Sequence, residues 1–135
     1  MVLVQKHETV PIVVDNDIVR VRQRVRDLAV GLGFSLVDQT KLVTAASELA
    51  RNTRLYGLGG TLRIETVINE RKTGLRLTFE DQGPGIADTA LALTDGYTTG
   101  NGLGLGLSGA RRLSQDFELS SRPGEGTRIT IARWK

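Results

Sequence analysis

The sequence predicts an α/β fold in which antiparallel strands form a sheet and each helix buries one apolar stripe. Five short stretches alternate between apolar and polar residues, which is typical of half-buried strands. Two longer stretches between the first and second strands repeat their apolar residues at helical spacing. Such helices are stable only when the apolar stripe packs against another layer. The strands are predicted at 8–14, 62–68, 75–81, 117–119 and 127–132.

Composition limits the class of protein. The chain has 135 residues, which predicts a single domain spanning 1–135. It has no cysteine, which excludes disulfides and thiolate metal sites and is consistent with the reducing cytoplasm. No apolar run reaches the length of a signal peptide or a membrane span, so no membrane contact is expected. The net charge is only +3 and aromatic residues make up 4% of the chain, so nucleic acid is not an expected partner.

The first helix follows an edge strand. Pro11 confines the strand at 8–14 to an edge of the sheet, and Asp15–Asp17 offers an N-cap for the helix that ends near Gly31 and Gly33. His7 precedes the strand and is expected to be solvated or at a strand end. The helix carries arginines largely off its apolar stripe, which form a solvated face or a docking surface for an acidic partner. They are Arg20, Arg22, Arg24 and Arg26.

The second helix places two polar residues at the edge of its apolar stripe. Ser35 is its predicted N-cap, with Asp38 three residues later. Glu48 and Asn52 lie one turn apart and can face a cleft. An amide oxygen suits a Mg²⁺ that keeps most of its waters, and the carboxylate can take a proton from a hydroxyl. The alternative is that both residues are simply exposed. Tyr56–Gly60 ends the helix.

An acidic residue stands where the third predicted strand ends. Residues 75–81 alternate regularly, so Asp81 closes the strand and a glycine turn follows at 82–86. Gly83 and Gly85 allow close approach of a flat ligand, and a carboxylate there can accept a hydrogen bond from an exocyclic amine such as that of adenine. The alternative is an ordinary tight turn in which the aspartate caps its own backbone.

A second glycine-rich segment opens another helix. A short helix is predicted at 87–93, and the polar, breaker-rich stretch 94–101 is predicted to be a mobile loop. Glycines alternate with leucines over 102–107, and Leu107, Ala110 and Leu113 continue at helical spacing. Free backbone N–H groups at a helix start can receive phosphate. The turn 122–126 then leads into the last strand, and Trp134 is expected to be a packing cover.

Taken in this order, the motifs resemble those of the GHKL ATP-binding superfamily, which includes gyrase B, the Hsp90 chaperone, histidine kinases and MutL. Residues 48–52 look like its N box, residues 81–85 like its first glycine box and residues 100–106 like its second. The resemblance covers nearly the whole chain. It implies a two-layer α/β sandwich, the Bergerat fold, with a mixed, mostly antiparallel sheet and helices on one face.

Within that superfamily, the chain is similar to the small bacterial serine/threonine kinases of the anti-sigma and switch-protein type. Residues 47–53 look like those of the RsbT-type switch kinases of the stressosome. The anti-sigma kinases of the RsbW and SpoIIAB type tend to have alanine after the glutamate, where this chain has Leu49. The resemblance assigns no single role to Arg51: it could contact phosphate, contact a partner protein or be only a surface charge.

The resemblance implies roles for individual residues. Asp81 would bind the adenine amino group, Asn52 would coordinate a Mg²⁺ that bridges the phosphates of ATP, and Thr127 would reach the adenine region. Glu48 would be the catalytic residue that orients or deprotonates the acceptor hydroxyl. Residues 95–101 would form a lid over the phosphates. The other nucleotide-binding candidates are Gly83, Gly85, Ile86, Thr98, Thr99, Gly100, Gly102, Leu103, Gly104, Leu105 and Gly106.

The implied function is an ATP-dependent serine/threonine protein kinase. Its substrates would be STAS-domain scaffold or antagonist proteins of a stressosome partner-switching pathway. After release it would activate a PP2C-type phosphatase, and its partner would be that phosphatase or the phosphatase's N-terminal domain. The alternatives are an anti-sigma factor kinase and a nucleotide-gated protein that sequesters its partner, which would not need Glu48 as a base. A detached histidine-kinase domain is disfavoured because the sequence has no histidine-bearing dimerisation helix.

Overall fold

A computed structural model describes residues 1–86, 93 and 107–135. The strands form one sheet in the order β1-β2-β3-β5-β4, and every pairing among them is antiparallel. The predicted α/β fold with a mostly antiparallel sheet is therefore confirmed. The elements are β1 (Val2–Ile12), α1 (Asn16–Gly31), α2 (Leu36–Leu55), β2 (Gly60–Asn69), β3 (Lys72–Asp81), α3 (Leu107–Arg112), β4 (Asp116–Ser121) and β5 (Thr127–Trp134). The short helix predicted at 87–93 and the loop at 94–101 lie essentially outside the described residues.

The two faces of the sheet differ in chemistry, as alternation along each strand requires. One face packs against α1, α2 and α3 to form a continuous apolar core. Its strand residues include Leu62, Ile64, Leu75, Leu77, Phe79, Ile129 and Ile131, all nearly or fully buried. The other face carries charged pairs such as Glu65 with Arg76, which lie 2.9 Å apart. Trp134 lies against Gly74 on β3, which fits its expected role as a cover.

The first strand differs from its predicted bounds of 8–14. Val2, Leu3 and Val4 pair with the end of β2, and the register shifts between Val4 and Lys6. That irregularity breaks the alternation, so the early part of the strand is not visible as a sequence pattern. His7 therefore lies within β1, opposite Glu65, and its exposed side chain agrees with the expected solvated position. The edge position implied by Pro11 is confirmed.

The chain leaves β1 after Ile12 because Asp17 recruits the next two amides. The Asp17 carboxylate accepts hydrogen bonds from Val13 N at 2.9 Å and Val14 N at 3.0 Å. These two bonds hold the pKa of Asp17 below its ordinary value. Asp15, part of the predicted N-cap, occupies the cap position without making a side-chain capping bond. The carboxylate that fixes the start of α1 is thus Asp17.

The second helix has the predicted cap, and an ion pair ties its first turn to the strand β5. Ser35 Oγ accepts from Asp38 N at 3.1 Å. The Asp38 carboxylate accepts from the Arg133 guanidinium of β5 at 2.9 Å, and Arg133 also donates to the Leu113 carbonyl. The hydrogen bond from Arg133 lowers the pKa of Asp38. This link orients α2, the helix that carries Glu48 and Asn52.

None of the helices in the described part of the chain is both long enough and apolar enough to cross a bilayer.

Candidate functional site

Asp81 ends β3 as a buried carboxylate, 9% exposed. Its Oδ1 accepts a hydrogen bond from Gly83 N at 2.9 Å, and the backbone of Thr127, its register partner on β5, also bonds to it. Burial raises the pKa of Asp81, against the lowering effect of the two backbone hydrogen bonds. A buried carboxylate held from two sides retains acceptor capacity for a further donor.

The glycine after α2 makes room for this carboxylate. A methyl group on Gly57 would overlap the carboxylate of Asp81, and one on Gly83 would come within 2.7 Å of the Gly57 α-carbon. Gly57 N in turn donates to the Asn52 carbonyl at 3.0 Å. The end of α2 and the first glycine turn are therefore in direct backbone contact at Asp81. The sequence indicated Gly57 only as part of a helix stop.

Ser121 fastens the other side of the glycine turn. Its hydroxyl accepts from Ile86 N at 2.8 Å and donates to the Gly126 carbonyl at 2.9 Å. Because that uses its one proton, the 2.8 Å contact with Thr127 Oγ1 has Thr127 as donor. One serine thus joins the turn after β3, the turn before β5 and the start of β5. Sequence analysis missed it, since its partner Ile86 lies 35 residues away.

The turn itself is packed too tightly for side chains. Gly85 has φ +77° and Gly126 has φ +80°, both in the left-handed region that favours glycine. A methyl group on Gly85 would overlap the Arg122 carbonyl, and one on Gly126 would overlap the Asp81 carbonyl. Gly124 N donates to the Pro84 carbonyl at 2.7 Å. The two glycine turns interlock and give Asp81 a rigid surrounding.

Glu48 and Asn52 lie at the edge of the buried face of α2, as the sequence predicted. Asn52 is 8% exposed and Glu48, one turn earlier, is half-buried, whereas Arg51 is exposed. No group of three or more His, Asp or Glu side chains that could hold a metal occurs in the described part of the chain. The donors available on α2 are one amide oxygen and one carboxylate, which suits a Mg²⁺ that keeps water and phosphate ligands.

The structure therefore brings together five predicted residues, Asp81, Gly83, Gly85, Ile86 and Thr127, at the ends of β3 and β5. It links them to Asn52 through Gly57. The remaining candidates lie outside the described residues, and their roles stay predictions. They are Thr98, Thr99, Gly100, Gly102, Leu103, Gly104, Leu105 and Gly106.

Comparison with a known protein family covers most of the chain. Residues 37–135 match the family described as histidine kinase-, DNA gyrase B- and HSP90-like ATPases. That range includes all of α2 except its first residue, both described glycine turns and Asp81. Membership of this family implies the use of ATP.

Comparison with curated proteins gives a relative that matches over most of both chains. The chain is 48% identical over 125 residues to the serine/threonine-protein kinase RsbT of Bacillus subtilis, covering 93% of this chain and 94% of that protein. This confirms the predicted resemblance to RsbT-type switch kinases and the predicted enzyme class, protein serine/threonine kinase.

Solved structures share the fold at low sequence identity. The structure of the RsbU and RsbW domains of a Mycobacterium tuberculosis protein matches all of this chain and 33% of that longer chain, with a TM-score of 0.64 and 18% identity. The SiaB–SiaC complex of Pseudomonas aeruginosa matches 98% of this chain and 91% of its counterpart, with a TM-score of 0.56 and 15% identity. From its matched residues and its curated relative, the chain belongs to the family of histidine kinase-, DNA gyrase B- and HSP90-like ATPases.

Proposed function

We propose that this chain is a kinase that transfers phosphate from ATP to a serine or threonine of a STAS-domain protein in a bacterial partner-switching pathway. The observation that carries the proposal is the Asp81 carboxylate, buried and held by Gly83 N and the backbone of Thr127 in a frame of interlocked glycine turns. The 48% identity to a serine/threonine kinase supports the reaction class.

Asp81 would recognise the base of ATP. Adenine offers an exocyclic N–H donor, and a carboxylate with a free lone pair is its complement. The carboxylate is held in one orientation. Gly57 packs directly against it, Gly83 packs against Gly57, and Oδ1 already accepts a hydrogen bond from Gly83 N at 2.9 Å. Thr127 lies next to it on β5 and would contact the same end of the nucleotide, directly or through water. This end of the site is therefore a fixed template for a purine with an amino group.

The phosphate end would be formed by α2 and the second glycine box. Asn52 would supply an amide oxygen to a Mg²⁺, and the backbone of Gly102, Gly104 and Gly106 would receive the phosphates. The bound ion would neutralise charge on the β- and γ-phosphates. Glu48 lies one helical turn before Asn52 on α2 and is half-buried, which supports a role for it next to the acceptor hydroxyl.

The transfer step is a displacement at the γ-phosphorus. The oxygen of the serine or threonine hydroxyl forms a bond to the γ-phosphorus while the bond to the β–γ bridging oxygen breaks, and ADP leaves. Glu48 would accept the hydroxyl proton as general base. Because phosphoryl transfer depends on positioning and charge neutralisation, few protein groups are required.

The partners in this proposal are STAS-domain proteins as substrates and a PP2C-type phosphatase as the target after release. Support comes from the name of the curated relative, an RsbT kinase. The fold is shared with part of a chain solved as RsbU and RsbW domains, and with a protein solved as the SiaB–SiaC complex. Those titles describe those proteins, and the transfer of a partner to this chain is our inference.

The test is phosphate transfer from γ-labelled ATP to the STAS-domain proteins of the same genome, each purified separately. The proposal expects label on a serine or threonine of one of them, dependent on Mg²⁺. Glu48→Gln should slow the appearance of label by roughly 10²–10⁴-fold. Glu70→Gln, which changes an exposed glutamate of the β2–β3 turn, should leave it unchanged. Tight binding of a STAS protein with no label on it would instead support a nucleotide-gated sequestration protein.

A further inference from the structure

Arg133 is a charged residue on the core-facing side of β5. Ile129 and Ile131 precede it at the two-residue period of a strand and are almost fully buried, so residue 133 also faces the helices. Its side chain is only 12% exposed. Withdrawing a guanidinium from water is costly, and an apolar side chain at such a position is often at least as stabilising as a buried ion pair. Stability alone therefore does not explain an arginine here.

The guanidinium of Arg133 joins two helices. Its Nε and Nη2 donate to Asp38 Oδ1, in the first turn of α2, at 3.2 Å and 2.9 Å. Its Nη1 donates to the carbonyl of Leu113 at 2.9 Å. Leu113 N bonds in turn to the Gly109 carbonyl, so Leu113 closes the last turn of α3. One planar side chain thus fixes the start of α2 relative to the end of α3.

Both contacts suit the charges of the two helix ends. The last carbonyls of a helix lack partners within the helix, and a cation beside them is favourable. A carboxylate in a first turn is favourable for the same reason of sign. The donors of a guanidinium lie in a rigid fork, so Arg133 holds Asp38 and the Leu113 carbonyl at a fixed separation.

These two helices carry the phosphate end of the proposed site. Glu48 and Asn52 lie on α2, and α3 begins at Leu107, directly after the predicted second glycine box at 100–106. The two helices pack against each other, and Leu107 and Ala110 of α3 are each only 1% exposed. A displacement of α3 would therefore move the residue that follows the glycine box relative to the amide and the carboxylate of α2.

We propose that Arg133 is a positioning residue for phosphoryl transfer, which holds α3 and α2 at the separation that the triphosphate of ATP requires. The inference rests on the proposed function, because that function places the phosphates between α2 and the segment before α3. Arg133 is remote from the base end of the site. Thr127, the partner of Asp81 on β5, lies six residues earlier, about 20 Å along the strand. Loss of Arg133 should therefore weaken the binding of phosphate and not of adenine.

The experiment compares Mg²⁺–ATP with adenosine, which has the same base but no phosphate. Dissociation constants are measured by competition with a fluorescent ATP analogue, for the wild type and for Arg133→Met. In the variant the dissociation constant for ATP should rise about tenfold, roughly the worth of one charge-assisted hydrogen bond, and that for adenosine should not change. Single-turnover transfer should slow by about 10²-fold, since a misplacement of about 1 Å is enough for that loss.

Two further variants separate positioning from stability. Arg76→Met breaks an ion pair of the same length, 2.9 Å to Glu65, on the other face of the sheet. It should lower the thermal midpoint but leave the ratio of the two dissociation constants unchanged. Arg133→Lys keeps the charge but not the fork, so it should fold as the wild type does. Its dissociation constant for ATP should rise by a smaller factor than in Arg133→Met, again with no change for adenosine.

The outcomes distinguish this inference from the proposed function. Equal dissociation constants for ATP and adenosine in the wild type would overturn the proposed phosphate end, and the role of Arg133 with it. If the wild type prefers ATP and both folded Arg133 variants keep that preference in full, the inference alone is wrong. An equal loss of affinity for ATP and adenosine would also overturn it, because Arg133 would then be only structural. Should Arg133→Met fail to fold, Arg133→Lys decides by the same ratio.

Discussion

The carboxylate of Asp81 lies against the α-carbon of Gly57, with no room for a methyl group between them. Gly57→Ala should therefore displace the carboxylate and lower the affinity for ATP by about 1–3 kcal/mol, the worth of a charge-assisted hydrogen bond. The backbone of Gly57 is not in the left-handed region, so the effect is steric. Calorimetric titration with ATP measures it.

Base selectivity identifies the cause of that loss. Inosine triphosphate lacks the exocyclic amine, so the wild type should bind it more weakly than ATP, and Gly57→Ala should remove most of the difference. Gly31→Ala is the matched control, because nothing lies within 4 Å of a methyl group there. Equal loss of affinity for both nucleotides in Gly57→Ala would mean that Gly57 is only structural.

Ser121 should hold the first glycine turn in place. Ser121→Ala removes a group that bonds Ile86 N, the Gly126 carbonyl and Thr127 Oγ1. We expect the free energy of unfolding to fall by about 1–3 kcal/mol, because partly buried partners lose their hydrogen bonds. Affinity for ATP should fall as well. Urea denaturation and calorimetry measure the two effects, with the exposed neighbour Ser120 changed to alanine as control. Equal stability of the two variants would contradict this role.

Glu48 should act on the acceptor and not on nucleotide binding. Glu48→Gln keeps the size of the side chain but removes the base, so single-turnover transfer should slow by roughly 10²–10⁴-fold. The dissociation constant for ATP should change little. A variant that transfers phosphate at the wild-type rate but needs more Mg²⁺ would show that Glu48 positions the ion instead.

The buried charge of Asp81 should make the ligand-free fold sensitive to pH. Burial raises the pKa of Asp81 above its ordinary value of 3.8, so the folded chain holds this proton to higher pH than the unfolded chain does. The stability that this group contributes is present below 3.8 and is lost as pH rises through its folded pKa. Asp81→Asn should remove that loss and leave the ligand-free protein at least as stable as the wild type at pH 7.

Urea denaturation of both proteins between pH 4 and neutrality measures this linkage. The difference in unfolding free energy, mutant minus wild type, should increase with pH. A difference that decreases with pH would mean that the Asp81 carboxylate is stabilised in its ionised form and that burial does not dominate.

Most of the architecture was predictable because the strands alternate and the helices have clear caps. Asp81 is the last residue of β3, and Ser35 caps α2 through Asp38 N, as expected. The first strand was not, since the register shift after Val4 interrupts the alternation. The two valines after Ile12 look like strand residues, yet their amides bond to Asp17.

The motifs of the candidate site were predictable, but its supports were not. Asp81 and its glycines carry a recognisable local spacing. Gly57 and Ser121 act through contacts with residues 24 and 35 positions away, and no local pattern records such contacts. The backbone of Leu58 was unpredictable for a different reason: leucine rarely adopts the left-handed region, so no local pattern predicts its φ of +62°.

The most direct test is calorimetric titration of Mg²⁺–ATP into the wild type and Asp81→Asn at neutral pH. The wild type should bind one ATP, and Asp81→Asn should bind it about 1–3 kcal/mol more weakly while remaining folded. Equal affinity in the two proteins would show that Asp81 does not contact the base and would contradict the proposed site.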